Sequence, residues 1–238
     1  EKTFNLISDT TLLELSNTNT PLLRELNEKA PGTFQHSMQV ANLAEAAANE
    51  IGANSMLVRT GALYHDIGKM KTPFYFIENQ QTGVNPHDEM DPKESGQIII
   101  DHVIEGIKMA KKANLPDRII DFIRTHHGNS VVYYFYKKQV DSGEENVDMN
   151  DFRYPGPIPF SRETAILMMA DAAEAASKSL NQPNAQRIDE LVESIISKQL
   201  EEGQFQNADI TLKEIQQIKE VLKKKLLNIY HLRIEYPE

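Results

Sequence analysis

Apolar residues recur along this chain at spacings of three and four, the period of a helix buried on one face. His36, Val40, Leu43, Ala44, Ala47 and Ile51 form the clearest such face, and it sets a histidine among aliphatic neighbours. After Gly52 and Asn54, a second face runs through Leu57, Val58, Gly61, Ala62 and His65. Upstream, residues 9–30 predict one or two short helices, with Thr20-Pro21 as cap and first turn. Asp91-Pro92-Lys93-Glu94 opens a further helix with an N-cap acid, proline in the first turn and an acid at the third position. Ser95, Ile98, Ile99, His102, Gly106 and Met109 line one side of it.

Pro116 starts the next helix, where Ile119, Ile123 and His126 share a stripe, Ile120 and His127 lie beside it, and Gly128 terminates it. Ser161 caps a helix expected over 162–180 that carries Leu167, Met168 and Asp171 on one side. Two amphipathic helices follow, near 184–201 (Ile188, Leu191, Val192, Ile195) and 211–227 (Leu212, Ile215, Leu222). Between these elements, residues 70–90 mix turn formers with aromatics and predict a long ordered loop, a common home for function. Tyr133-Tyr134-Phe135-Tyr136 fits helix or strand; residues 141–151 are acidic and expected to be mobile; Tyr154-Pro155-Gly156-Pro157-Ile158-Pro159 reads as a stiff turn. The pattern predicts an all-α fold in one domain, without internal repeats.

Composition narrows the function classes. With 238 residues the chain can bury one sizeable core. It has no cysteine, which excludes disulfides and thiolate metal sites. A formal charge of −10 argues against a general binder of long nucleic acids but not against a small phosphorylated ligand. No apolar run approaches the ~20 residues that span a bilayer, and no signal peptide is visible. The chain opens at Glu1 rather than at an initiator Met, so a fragment or processed form is expected.

Bare imidazoles and carboxylates among apolar helical residues need something to offset their desolvation, and a metal ion does so. Seven candidates share that setting: His36, His65, Asp66, His102, His126, His127 and Asp171. Singly, each has an ordinary reading as a core or surface side chain; jointly, one metal centre accounts for all of them. Seven ligands are too many for one reactive ion, but two ions can share them if Asp66 bridges. His36, His65, Asp66 and Asp171 would hold one, and Asp66, His102, His126 and His127 the other. Each ion would keep open positions for water and substrate oxygens, and the donor set suits iron, manganese or zinc better than magnesium.

These residues also carry a resemblance. His36, the doublet in His65-Asp66-Ile67-Gly68-Lys69 and Asp171 follow the H…HD…D pattern of the HD-domain metal-dependent phosphohydrolases. Asn85-Pro86-His87-Asp88, Ser95-Gly96-Gln97-Ile98-Ile99, His126-His127-Gly128, Tyr154-Pro155-Gly156-Pro157 and the run Met169–Glu174–Ala175 narrow it. Together they resemble the cytosolic domain of the bacterial seven-transmembrane HD phosphodiesterases, over about residues 22–200, with flanking helices at about 1–21 and 201–238. The resemblance implies hydrolysis of cyclic di-AMP to linear pApA by water activated between two metal ions. It also implies a place on the cytoplasmic face of the bacterial membrane, through segments absent here, with a homodimer as one expected assembly. Asp66 and Lys69 are the expected catalytic pair, with Lys69, His87 and Tyr154 as substrate contacts; Tyr75 and Tyr133 are further stacking candidates. Arg153 precedes Tyr154-Pro155, a departure from the Gly-Tyr-Pro signature of cyclic di-GMP phosphodiesterases. The alternatives are a dinuclear oxygenase, another nucleotide phosphohydrolase and a cyclic dinucleotide sensor without turnover.

Overall fold

The structure, a computed structural model, describes residues 7–80 and 83–231; the outermost parts of both expected flanking helices lie outside it. Among the described residues the chain is all-α. In chain order the helices are α1 (Asp9–Leu15), α2 (Pro21–Lys29), α3 (Pro31–Glu50), α4 (Ser55–Tyr64), α5 (Pro92–Lys112), α6 (Asp117–Thr125), α7 (Tyr133–Asp141), α8 (Arg162–Ser177), α9 (Ala185–Glu201) and α10 (Leu212–His231). The aromatic segment at 133–136 is therefore helical. No strand is present among the described residues; Val131 and Arg153 form an isolated antiparallel bridge.

Capping explains several of the boundaries. Asp91 accepts from the backbone N–H groups of Lys93 and Glu94, and Asn184 from that of Arg187. Ser161 and Thr164 form a reciprocal capping box at the start of α8. The face of α9 is rotated slightly from the expected one: Ile188, Val192 and Ile196 are buried, while Leu191 and Ile195 are only half-covered. The acidic stretch ends in more order than its composition suggests. Asp148 caps a short 3₁₀ turn, Met149–Phe152, and the Phe152 ring is completely buried.

α3 packs against α4 on one side and α8 on another, while α10 packs on α3 and α9. The shared core includes Val40, Ala44, Val58, Phe122, Ile123, Leu167, Met169, Val192, Leu222 and Leu226. Along the predicted loop at 70–90 the described residues form a series of 3₁₀ turns, Ile67–Lys71, Pro73–Tyr75, Ile77–Asn79 and Pro86–Asp88. The first of these lies directly on α5. Gly68 makes that approach possible, because a Cβ there would stand 1.8 Å from the His102 carbonyl oxygen.

Candidate metal centre

Two helices stop just where their terminal histidines are needed. α4 ends at Tyr64; His65 keeps helical dihedrals, but Asp66 leaves them with φ −108° and ψ 14°. That break resolves the divergence of roughly 100° between neighbours on a continuous helix, so both side chains meet one centre. α6 ends at Thr125 in the same way, and Gly128, at φ +53°, turns the chain after His126-His127. A side chain at 128 would also strike Gln204, with Cβ 2.1 Å from its Oε1.

The seven candidate residues converge. His36 Nε2 lies 2.9 Å from Asp171 Oδ1 and 3.6 Å from Asp66 Oδ2. His65 Nε2 lies 3.3 Å from Asp66 Oδ2 and 3.6 Å from Asp171 Oδ1. On the other side, Asp66 Oδ1 is 3.3 Å from His102 Nε2 and 3.5 Å from His126 Nε2. The His126 and His127 ring centroids are 4.0 Å apart. Two compact donor groups can hold an ion, His36–His65–Asp66 and His102–His126–His127; a third, His65–His126–Asp171, joins them. Asp66 has one carboxylate oxygen toward each of the first two.

Four of the imidazoles are aimed by their outer nitrogen. The Nδ1–H groups of His65, His102 and His126 donate to the carbonyls of Ala62, Ile99 and Ile123, each three residues earlier, at 2.7, 2.5 and 2.8 Å. His36 Nδ1 instead meets Glu174 Oε2 at 2.5 Å. These bonds place the Nδ1 proton of each ring outward and turn each Nε2 inward, where it is a lone pair for a metal in the neutral ring and an N–H donor to the carboxylates when His36 or His65 is protonated. The His102 and His126 Nε2 atoms are only 3.1 Å apart, so a hydrogen bond between them requires a doubly protonated, cationic ring. His65 Nε2 and Asp66 Oδ1 are buried without a hydrogen-bond partner. Convergent buried imidazole nitrogens and carboxylate oxygens, two of them unpartnered, are what a cation satisfies, and the residues fit a metal on that ground.

Electrostatics follow the same geometry. Burial opposes ionisation of Asp66, but the charges of Lys69 and His65 outweigh it and hold the carboxyl well below the usual range. Asp171 is likewise held well below the usual range, against burial, by hydrogen bonds from His36 and His65. Burial opposes the His65 cation, yet Asp66 and Asp171 raise it to about 10. His126 and His127 are pushed down, first by burial.

The expected substrate residues divide. Lys69 lies at the centre but is engaged there, with its Nζ 2.8 Å from Asp66 Oδ2, 2.9 Å from Glu78 Oε1 and over the Phe76 ring. Tyr154 stacks on His127 at 4.2 Å with an interplanar angle of 24°. His87 is packed elsewhere: its Nε2 is 3.0 Å from the Tyr75 carbonyl and its ring lies between Tyr75 and Phe135. No described hydrogen bond or ring contact joins it to the seven. Tyr133 is exposed, beside Lys198. Two carboxylates that matter here had no predicted role, Glu78 and Glu174. Glu174 had a visible signal, since it stands three residues after Asp171 on an alanine-rich helix, hence on the same face.

This helical scaffold with its HD turn defines a class. The HD domain family pattern matches residues 33–176, and the chain belongs to that family. Its relatives include the cyclic-di-AMP phosphodiesterase PgpH of Bacillus subtilis (strain 168), 48% identical over 238 residues, which are all of this chain and 33% of that protein. The likeness thus extends beyond residues 22–200, and the chain spans about a third of the length of the curated relatives it matches. The crystal structure of the HD domain of Listeria monocytogenes PgpH is similar with a TM-score of 0.86 and 46% identity, covering 90% of this chain and all of that one. The same domain in complex with cyclic-di-AMP is similar with a TM-score of 0.87 and 45% identity, over the same shares. No helix among the described residues is long and apolar enough to cross a membrane.

Proposed function

We propose that this domain is a metal-dependent phosphodiesterase that hydrolyses cyclic di-AMP to linear pApA at a dinuclear centre. The observation that carries the reading is the ring of inward-turned Nε2 atoms around the two oxygens of Asp66. The likeness over a whole HD domain of known structure, one form of which holds cyclic-di-AMP, supports the choice of substrate.

When bound, a pair of divalent ions supplies Lewis-acid charge to phosphate oxygens and acidifies water. Asp66 is the shared ligand in this reading, with His36, His65 and Asp171 on its Oδ2 side and His102, His126 and His127 on its Oδ1 side. The donor set favours iron or manganese, with zinc as the other choice. Lys69 fixes Asp66 Oδ2 and is the nearest ammonium for a non-bridging phosphate oxygen. Tyr154, buried with Ile100 and Val103, stacks on His127 and holds the plane of that ring, and in this reading it is a substrate contact. His87 supports the loop from a packed joint, with its Nε2 engaged by a backbone carbonyl. The domain is further proposed to sit at the cytoplasmic face of a membrane within a longer protein, on the resemblance to the membrane-borne HD phosphodiesterases.

The test pairs metal analysis with turnover. Purified protein is loaded with iron, manganese or zinc, metal per chain is counted, and cyclic di-AMP and cyclic di-GMP are offered. Close to two ions per chain with pApA as product is the expected result. Tight binding without product would favour a sensor, preferential cleavage of another nucleotide would reassign the substrate, and no metal under any loading would overturn the centre.

A further inference from the structure

The two donor groups differ in charge and in what stands behind them. His102, His126 and His127 are all imidazoles, and the two with assigned anchors lean on backbone carbonyls. The first group contains His36 and His65 with Asp66 and Asp171, and behind His36 stands a third carboxylate. Glu174 is 1% exposed and its Oε2 is 2.5 Å from His36 Nδ1. Asp171 and Glu174 lie on the same face of α8 and grip opposite nitrogens of one ring. Lys178, one turn further along α8, contacts Glu174 Oε1 at 2.9 Å from the exposed edge of the helix and holds the carboxylate in place. A carboxylate behind an imidazole raises its basicity as a ligand and fixes its orientation more strongly than a neutral carbonyl does.

We propose that Glu174 is a positioning residue which, by clamping His36, makes the His36–His65–Asp66–Asp171 group the tighter of two metal sites and the first to fill. The inference rests on the dinuclear reading. It predicts stepwise loading: one ion enters the carboxylate-rich group, and the second enters the imidazole group at higher free metal.

The experiment is a titration of metal-free protein with Mn(II), followed by calorimetry and by electron paramagnetic resonance. At one equivalent the wild type is expected to show an uncoupled mononuclear signal, replaced by a spin-coupled pair at two. His127→Ala, which damages only the imidazole group, is expected to keep one tight ion. Glu174→Gln retains an acceptor for Nδ1 but not the charge, and should weaken the first binding step by roughly 10–100-fold; Glu174→Ala should weaken it more. The second step should move little. Tight first binding that survives Glu174→Ala, or that is lost in His127→Ala, would overturn the proposal while leaving a dinuclear centre intact. A wild type that binds no Mn(II) would instead sink the dinuclear reading itself. If the Glu174 variants do not fold, coupled pairs already at one equivalent in the wild type would overturn the ordering.

Discussion

At the scale of single residues, Asp66 is the point on which the centre turns, since it touches His65, His102, His126, His36 and Lys69 at once. Asp66→Ala is expected to lose both ions and to abolish hydrolysis; wild-type metal content and turnover in that variant would end its assignment as the shared ligand. Gly68→Ala tests the backbone approach. Its Cβ would overlap the His102 carbonyl at 1.8 Å, so the substitution should destabilise the fold by about 1–3 kcal/mol or more in urea denaturation. Much at this scale was legible in the residues alone, because a histidine on an apolar face is conspicuous. Carboxylates are harder to read. Glu78 and Glu174 look like surface acids until Lys69 and His36 arrive from 9 and 138 positions away in the chain. Lys69 and His87 are the converse: the motif marks them as available, whereas packing gives the first two carboxylate partners and the second a carbonyl.

At the scale of elements, the ends of α4 and α6 position four of the seven residues, His65, Asp66, His126 and His127, and periodicity with capping signals revealed most of the helix boundaries. Asp91, Ser161 and Gly128 stand where the sequence placed its starts and stops. The 3₁₀ turns at 67–90 were legible only as a loop, since short turns have no period of their own. Ser161→Ala removes the cap of α8, the helix bearing Asp171, and should cost about 1 kcal/mol, lowering the urea midpoint without changing the slope. In the dinuclear reading, metal would tie residues of α3, α5 and α8 and of the turns after α4 and α6 to one point. Stripping a metal-saturated sample with chelator should therefore lower the melting temperature by roughly 5–10 °C, the effect of free metal at about a hundred times its dissociation constant. An unchanged melt would mean that no ion had been holding those helices together.

At the scale of the whole molecule, the fold class was readable because nearly every segment is amphipathic at one period, and α9 and α10 extend the same core. The metal-free protein should have a pH optimum with two limbs of different origin. Asp66 and Asp171 are held below the ordinary 3.8, so their contribution is fully present above that value and lost as pH falls through their lower folded values. His65 is raised to about 10, so its contribution is full below 6.5 and lost as pH rises through about 10. Melting temperature against pH should fall on both sides, and saturating metal should remove the alkaline limb, because a metal-bound Nε2 carries no proton to lose. An alkaline limb that persists with metal bound would show that the ion does not reach His65.

The carbonyl anchors have a consequence for how the centre comes together during folding. His65, His102 and His126 are aimed by oxygens only three residues away, a distance that any nascent helical turn already spans. Their orientation is in place as soon as the local turn winds. His36 has no such local guide; its guide is Glu174, a long chain closure away on α8. Three of the four anchored rings are thus set early, and the fourth waits for α3 and α8 to meet, so the chain cannot present a finished carboxylate-rich cradle until that long-range contact has formed.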